Sequence, residues 1–312
     1  MAAVVAALSL AGCGGGDGDA HELRIGYLAN ITNAAALVGI DQGIFERDIP
    51  GMRVTPTKFT TGTEEVSALL SGSLDAGYLG MGPVITAASR APGQITVIAG
   101  ANEGGALLVA RTGSGIRSVN DLAGHRVAFP GYGNTQDMSL QWELARAGLR
   151  GGRDAQVPTV RVRNADLRTA FERGALDAAL CPEPWCSALV SKGLATVVMP
   201  ADKVMGDGRY PSTVLVVRTE YARRHPDVVK QLIRANEQAV AASRDPAAVA
   251  TAFNAAVKSS LPDSVLRTGI AANVPTTEVN AAGTQKLIDA ARDAGYLPTP
   301  VRLRDVLPAP AR

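Results

Sequence analysis

Apolar positions along the chain recur in two periods that alternate with one another. Residues 23–28 alternate like a short strand, and Leu37, Ile40 and Ile44 then follow at helical spacing, predicting a helix over 33–45. Residues 52–59 return to a strand pattern despite Pro56. Thr61-Gly62-Thr63-Glu64 has the Thr-x-x-Glu form in which the two outer side chains satisfy free N–H groups at a helix start. Val66, Leu69 and Leu70 supply that helix with an apolar face, Gly72 ends it, and residues 76–79 begin another strand.

The same order returns at an offset of 102 positions. Arg24-Ile25-Gly26-Tyr27 aligns with Arg126-Val127-Ala128-Phe129, and residues 68–76 align with residues 170–178, including Gly72/Gly174, Leu74/Leu176 and Asp75/Asp177. The period is too long for a solenoid and points to two related lobes. In the second copy, 126–129 reads as a strand, Asn134 or Thr135 caps a helix to about Ala147, 159–162 is a strand, 166–173 a helix and 176–180 a strand. Strands alternating with helices imply α/β lobes with parallel pairing. The tail from about Glu220 is mostly helical, with Pro226 and Pro246 near helix starts.

The expected division is 22–110 plus 213–312 for lobe 1 and 111–212 for lobe 2, with Gly-rich crossings near 111–115 and 205–212. Residues 214–217 are expected to return to the first lobe. Two crossings suit a hinge; two separate domains on one linker are the other reading.

In open α/β sheets, ligands bind beyond the carboxyl ends of the strands. That rule selects Asn30-Ile31-Thr32-Asn33, Thr60-Thr61-Gly62-Thr63 and Gly80-Met81-Gly82-Pro83 in lobe 1. In lobe 2 it selects Gly131 to Gln136, with Gly133, Asn134 and Thr135 at a helix start, then Arg163-Asn164 and Pro182-Glu183-Pro184-Trp185. These loops are rich in Gly, Thr, Asn and Gln and precede helices, whose N-termini hold anions without a Lys. Thr32, Asn33, Thr61, Asn134 and Thr135 read equally well as helix caps, and the two roles can coexist. Trp185 reads as a wall against an apolar part of the ligand or as a core residue. Glu183 either meets an ammonium group or steadies the helix start at Trp185. Arg163 faces the cleft or the solvent, and Trp142 packs in the core.

Composition narrows the picture further. Of 312 residues only 4% are aromatic, so the core is built mainly from Ala, Val, Leu and Ile, and a net charge of +2 without a basic run gives no footprint for nucleic acid. No Cys/His spacing suggests a metal, and no cofactor is expected. Cys181 and Cys186 either pair or remain free thiols. Residues 1–10 form an apolar run too short to span a bilayer, which takes about 20 residues. Leu10-Ala11-Gly12-Cys13 follows and resembles a bacterial lipobox; on that reading 1–12 is a signal peptide, Cys13 is lipidated and 13–21 is a tether. No Lys or Arg precedes Cys13, and an apolar segment with an incidental Cys is the alternative.

Arg24-Ile25-Gly26-Tyr27, Ala76-Gly77-Tyr78-Leu79-Gly80, Gly133-Asn134-Thr135-Gln136-Asp137, Pro182-Glu183-Pro184-Trp185 and Val214-Leu215-Val216-Val217 resemble the binding proteins of nitrate, taurine and aliphatic sulfonate ABC importers, the NMT1-like group. The resemblance implies a periplasmic binding protein type II fold: two lobes of mixed, mainly parallel sheet flanked by helices, with the ligand in the cleft between them. It implies a monomeric, non-enzymatic partner of an ABC permease, held by a lipid anchor at the extracytoplasmic face of a membrane. It also suggests ligand contact at the loops of Thr32, Thr61, Gly82, Thr135 and Trp185. Met81 stands where many relatives carry a more polar run, and an apolar Met there favours a sulfonate with a carbon chain over nitrate. Two other readings stay open. One is an enzyme of thiamine-precursor or menaquinone synthesis on the same fold, for which Cys181 is the obvious nucleophile but no His base is near in sequence. The other is a sensor that docks on a receptor.

Overall fold

The computed structural model describes residues 21–258 and 261–307; the expected leader, Cys13 and almost all of the tether lie outside the described residues. Its strands are β1 (Glu22–Leu28), β2 (Arg53–Phe59), β3 (Ala76–Leu79), β4 (Ile95–Gly104), β5 (Ala106–Arg111), β6 (Val127–Phe129), β7 (Gly151–Gly152), β8 (Val157–Arg161), β9 (Ala178–Pro182), β10 (Ala195–Met199), β11 (Pro211–Arg218) and β12 (Asn273–Pro275). The helices are α1 (Ala34–Asp41), α2 (Ile44–Asp48), α3 (Gly62–Leu70), α4 (Met81–Arg90), α5 (Thr135–Arg146), α6 (Leu167–Glu172), α7 (Trp185–Ser191), α8 (Thr219–Arg224), α9 (Pro226–Ala242), α10 (Pro246–Val257), α11 (Asp263–Ala271), α12 (Ala281–Asp293) and α13 (Leu303–Val306).

The strands form two mixed sheets flanked by helices, ordered β12-β4-β11-β3-β1-β2 and β10-β5-β9-β6-β8-β7. In the first, β3, β1 and β2 are parallel, while β11, β4 and β12 each run antiparallel to a neighbour. In the second, β9, β6, β8 and β7 are parallel, and β5 runs antiparallel to both its neighbours, β9 and β10. The internal repeat appears as register. Ile25 and Gly26 face Ala76 and Gly77, and Val127 and Ala128 face Ala178 and Ala179, each position 102 residues after its counterpart. The aspartates repeat as well: Asp75 Oδ2 accepts from Arg24 N and Asp177 Oδ2 from Arg126 N, both at 3.0 Å. Each carboxylate closes the start of a strand and the turn after a helix with one bond, which is why both copies keep Leu-Asp-Ala after the Gly.

Two expectations are corrected. Residues 33–45 do not form one helix: a 3-10 turn over Ile31–Asn33 leads into α1, and Gly43, with φ +62°, breaks the chain before α2. The first crossing lies at Gly104-Gly105, ahead of 111–115, because Ala106–Arg111 is already bound into the second sheet, where Leu108 faces Leu180 of β9 and Val109 faces Val197 of β10. Both glycines have φ in the left-handed region, which a side chain would strain. The chain returns before β11, and Gly104 N donates to Tyr210 O at 3.1 Å, so the two crossings run side by side. Strand β11, expected to rejoin the first sheet, lies at its centre. One buried cluster, with Leu79, Met81, Leu108, Phe129, Met138 and Leu287, continues across the two sheets behind these crossings.

Candidate functional site

The carboxyl ends of β1, β2 and β3 face those of β6, β8 and β9 across a cavity of about 370 Å³. Each loop that reaches it is held by local bonds. After β1, Asn30 Oδ1 accepts from Thr32 Oγ1 at 2.7 Å and from Asn33 Nδ2 at 3.0 Å, and Leu28 N donates to Asn33 Oδ1. After β2, the capping box forms: Glu64 N donates to Thr61 Oγ1, and Thr61 N to Glu64 Oε2. This leaves the Thr61 hydroxyl proton and the first N–H groups of α3 directed toward the cavity end of the helix. After β6, Asn134 Oδ1 caps Asp137 N at 2.9 Å and leaves the Asn134 amide protons for another acceptor. Helices α3 and α5 therefore bring two positive helix ends to one space from opposite sheets.

Fifteen of the twenty-four residues selected by the carboxyl-end rule line this cavity, among them Thr32, Asn33, Thr61, Gly62, Gly80, Asn134, Thr135, Gln136 and Trp185. Six of the others are placed as follows. Ile31 is buried in an apolar cluster with Phe253 and Leu266. Met81 is fully buried in the core behind the crossings, so it does not narrow the cavity. Gly82 sits under the start of α5, where a Cβ would lie 2.6 Å from Asn134 C and Thr135 N, and its N–H donates to Thr135 Oγ1 at 3.1 Å. Thr63 and Gly133 line a separate cavity of about 200 Å³ between α3, α4 and Tyr132. Glu183 is fully buried, and its carboxylate accepts from Ser187 N at 3.0 Å and Ser187 Oγ at 2.6 Å. Burial pushes the Glu183 carboxyl above the usual range, partly offset by the Ser187 bonds; the group steadies the start of α7 and does not reach the cavity.

Several lining residues were not singled out by sequence. Lys58 reaches the cavity from the penultimate position of β2, where its Nζ donates to Ala256 O at 2.8 Å. No local pattern marks it, because the lysine is one of many exposed cations until β2 is aimed at the cleft. Ser212 and Val257 arrive from segments distant in sequence. Arg163 does line the cavity, while its Nε donates to Asp166 at 2.7 Å. Among the described residues, Lys58 and Arg163 are the ionisable members of the lining, and no Asp, Glu, His or Cys is among them. Trp185 stands between the cavity and Phe253, with ring centroids 6.3 Å apart. Its Nε1 is buried and makes no hydrogen bond, so the ring offers carbon surface to the cavity. Cys181, the one nucleophile the sequence suggested, is bonded to Cys186 and fully buried.

This arrangement offers helix-end N–H groups, hydroxyls, amides, two cations and an aromatic wall. It suits holding an anion with an apolar part, and among the described residues no lining side chain is placed to act as a nucleophile with an adjacent base. Comparison with known proteins agrees with the architecture. Residues 16–257 match the NMT1-like family. The chain is 34% identical over 184 residues to a taurine-binding periplasmic protein of Escherichia coli, a match that covers 58% of this chain and 54% of that protein, little more than half its length. Among solved structures, the alkanesulfonate-binding protein SsuA from Xanthomonas axonopodis pv. citri, bound to MOPS, superposes with a TM-score of 0.78 at 24% identity, covering 92% of this chain and 98% of that one. The periplasmic aliphatic sulphonate binding protein SsuA of Escherichia coli gives 0.77 at 23% identity, over 93% and 98%.

Proposed function

Because the chain belongs to the NMT1-like family, we propose that it is an extracytoplasmic solute-binding protein that captures a small organic anion, an aliphatic sulfonate or a taurine-like compound, and delivers it to an ABC permease. The carrying observation is the cavity between the two sheets, which joins the ends of α3 and α5 to Lys58 and Arg163 and, among the described residues, has no carboxylate in its lining. Trp185 supplies the apolar surface that a carbon chain needs. Residues 22–104 with 211–258 and 261–307 form one lobe and 105–210 the other; the paired crossings at Gly104-Gly105 and Tyr210 are the hinge about which they close on the ligand. Cys13 is the lipid attachment point that holds the protein at the outer face of the membrane.

The test is thermal unfolding of the purified protein with ethanesulfonate, taurine, nitrate, or a cationic or neutral amine. A ligand at 100 times its Kd stabilises the fold by about 2.7 kcal/mol. The reading expects the sulfonates to raise the midpoint and the amine to leave it unchanged; a response to the amine alone would overturn it.

A further inference from the structure

Directly behind the first turn of α3 lies a carboxyl group that the anion site does not use. Glu65 is fully buried, and neither of its oxygens has a hydrogen-bond partner. It occupies a niche made by two glycines that face each other across β1 and β3, Gly26 and Gly77. A Cβ on either glycine would collide with Glu65 Oε1. The repeat supplies a comparison within the chain. The positions 102 residues later are Leu167, Ala128 and Ala179, which pack together in an apolar cluster. Lobe 2 thus fills this place with a leucine on two alanines, whereas lobe 1 has made room for a carboxyl on two glycines.

We infer that Glu65 is a proton-binding site linked to anion capture: the carboxyl is neutral while an anion rests on the first turn of α3, and its ionisation weakens that anion's binding. The inference rests on the anion site proposed above. The ionisable groups on the elements around α3 do not neutralise Glu65. Arg24 and Arg218 pair with Asp75, and Glu22 meets Thr55 and Arg53. Tyr78 donates to Asn236, Lys58 to Ala256 O, and Glu64 accepts from Thr60 N and Thr61 N. Tyr27 belongs with the apolar clusters on the far face of β1, and Arg90 ends α4; neither is hydrogen bonded to Glu65. Burial alone therefore holds the Glu65 carboxyl well above its usual range. An anion on Gly62 N and Thr63 N would sit roughly 5–7 Å away, given the rise of a helix. Two negative charges so placed in a partly shielded interior cost about tenfold or more in affinity. Linkage is reciprocal, so anion binding draws a proton onto Glu65 by the same factor.

The experiment is calorimetric titration of the full chain with ethanesulfonate across pH 5–9.5, in buffers of different ionisation enthalpy, for wild type and Glu65→Gln. Wild type is expected to lose about tenfold in affinity as pH rises, with proton uptake on binding; Glu65→Gln is expected to bind tightly with neither effect. A flat wild-type profile, or the same slope in Glu65→Gln, overturns the linkage. Unfolding of the ligand-free proteins over the same range separates the proton site from the anion reading. A carboxyl protonated in the fold but not in the unfolded chain stabilises fully below its unfolded pKa, and that stability is lost as pH rises toward the folded value. Wild type should therefore weaken with pH relative to Glu65→Gln. Superimposed stability curves overturn the proton site whatever the ligand. Divergent curves with no ethanesulfonate binding keep the proton site, reject the linkage and count against the sulfonate reading alone.

Discussion

The contact between Gly82 and the start of α5 lends itself to a quantitative test through Gly82→Ala. The added Cβ would meet Asn134 C and Thr135 N at 2.6 Å, and both are backbone atoms that no rotamer change can move. To restore an ordinary contact of 3.4 Å, the starts of α4 and α5 must part by 3.4 − 2.6 = 0.8 Å. Overpacking of this kind costs about 1–3 kcal/mol. The same movement stretches the Gly82 N to Thr135 Oγ1 bond from 3.1 Å, losing about 1 kcal/mol more. The combined loss is about 2–4 kcal/mol. At roughly 1.5 °C per kcal/mol for a chain of 312 residues, the midpoint should fall by about 3–6 °C. Calorimetry of the free protein and of its ethanesulfonate complex locates the cost. A fall in midpoint with unchanged Kd means that the contact persists with and without ligand. A weaker Kd with an unchanged midpoint means that it forms only when the lobes clasp the ligand. If midpoint and affinity both match wild type, within 1 °C and twofold, the close approach of the two helix starts is refuted.

Three further outcomes follow from the site and its supports. Lys58→Ala removes an exposed cation and should weaken ethanesulfonate by about 1.5–3 kcal/mol, roughly ten- to a hundredfold, without moving the midpoint; titration calorimetry checks it, and unchanged affinity would remove Lys58 from the site. Across methane-, ethane- and butanesulfonate, wild type should gain about 0.8 kcal/mol for each CH₂ laid against Trp185, and Trp185→Ala should flatten that series. Replacing Cys181 and Cys186 together by Ser opens a loop closed over a sequence separation of 5 and should cost about 2 kcal/mol in denaturant unfolding; ethanesulfonate affinity should stay unchanged, since neither sulfur lines the cavity.

Much of this was legible because it is built from short-range rules. The capping bonds of Thr61 with Glu64 and of Asn134 with Asp137 each span three residues and need no distant partner. The offset of 102 carried the shared strand register and the paired aspartates, because both copies solve the same local closure problem. The carboxyl-end rule then brought fifteen of its twenty-four residues to one cavity. It failed at Met81 and Gly82, which lie at the right end of β3 but enter α4 with the side chain of Met81 turned into the core. It failed at Glu183 because a carboxylate one turn from Ser187 is satisfied there before it can face a ligand.

What the sequence determined by itself is the pair of α/β units, the helix starts that face the cleft, and the polar chemistry of those starts, all set by periodicity and by hydrogen bonds within a few residues. The tertiary structure alone decided that Ala106–Arg111 joins the second sheet, that Cys181 and Cys186 are bonded, and that Lys58 reaches the cavity. It alone decided that Gly82 meets Thr135 and that Glu65 lies unpartnered between Gly26 and Gly77. Each of these depends on backbones or side chains that meet only after the sheets have paired, and no pattern within either segment records which partner will arrive.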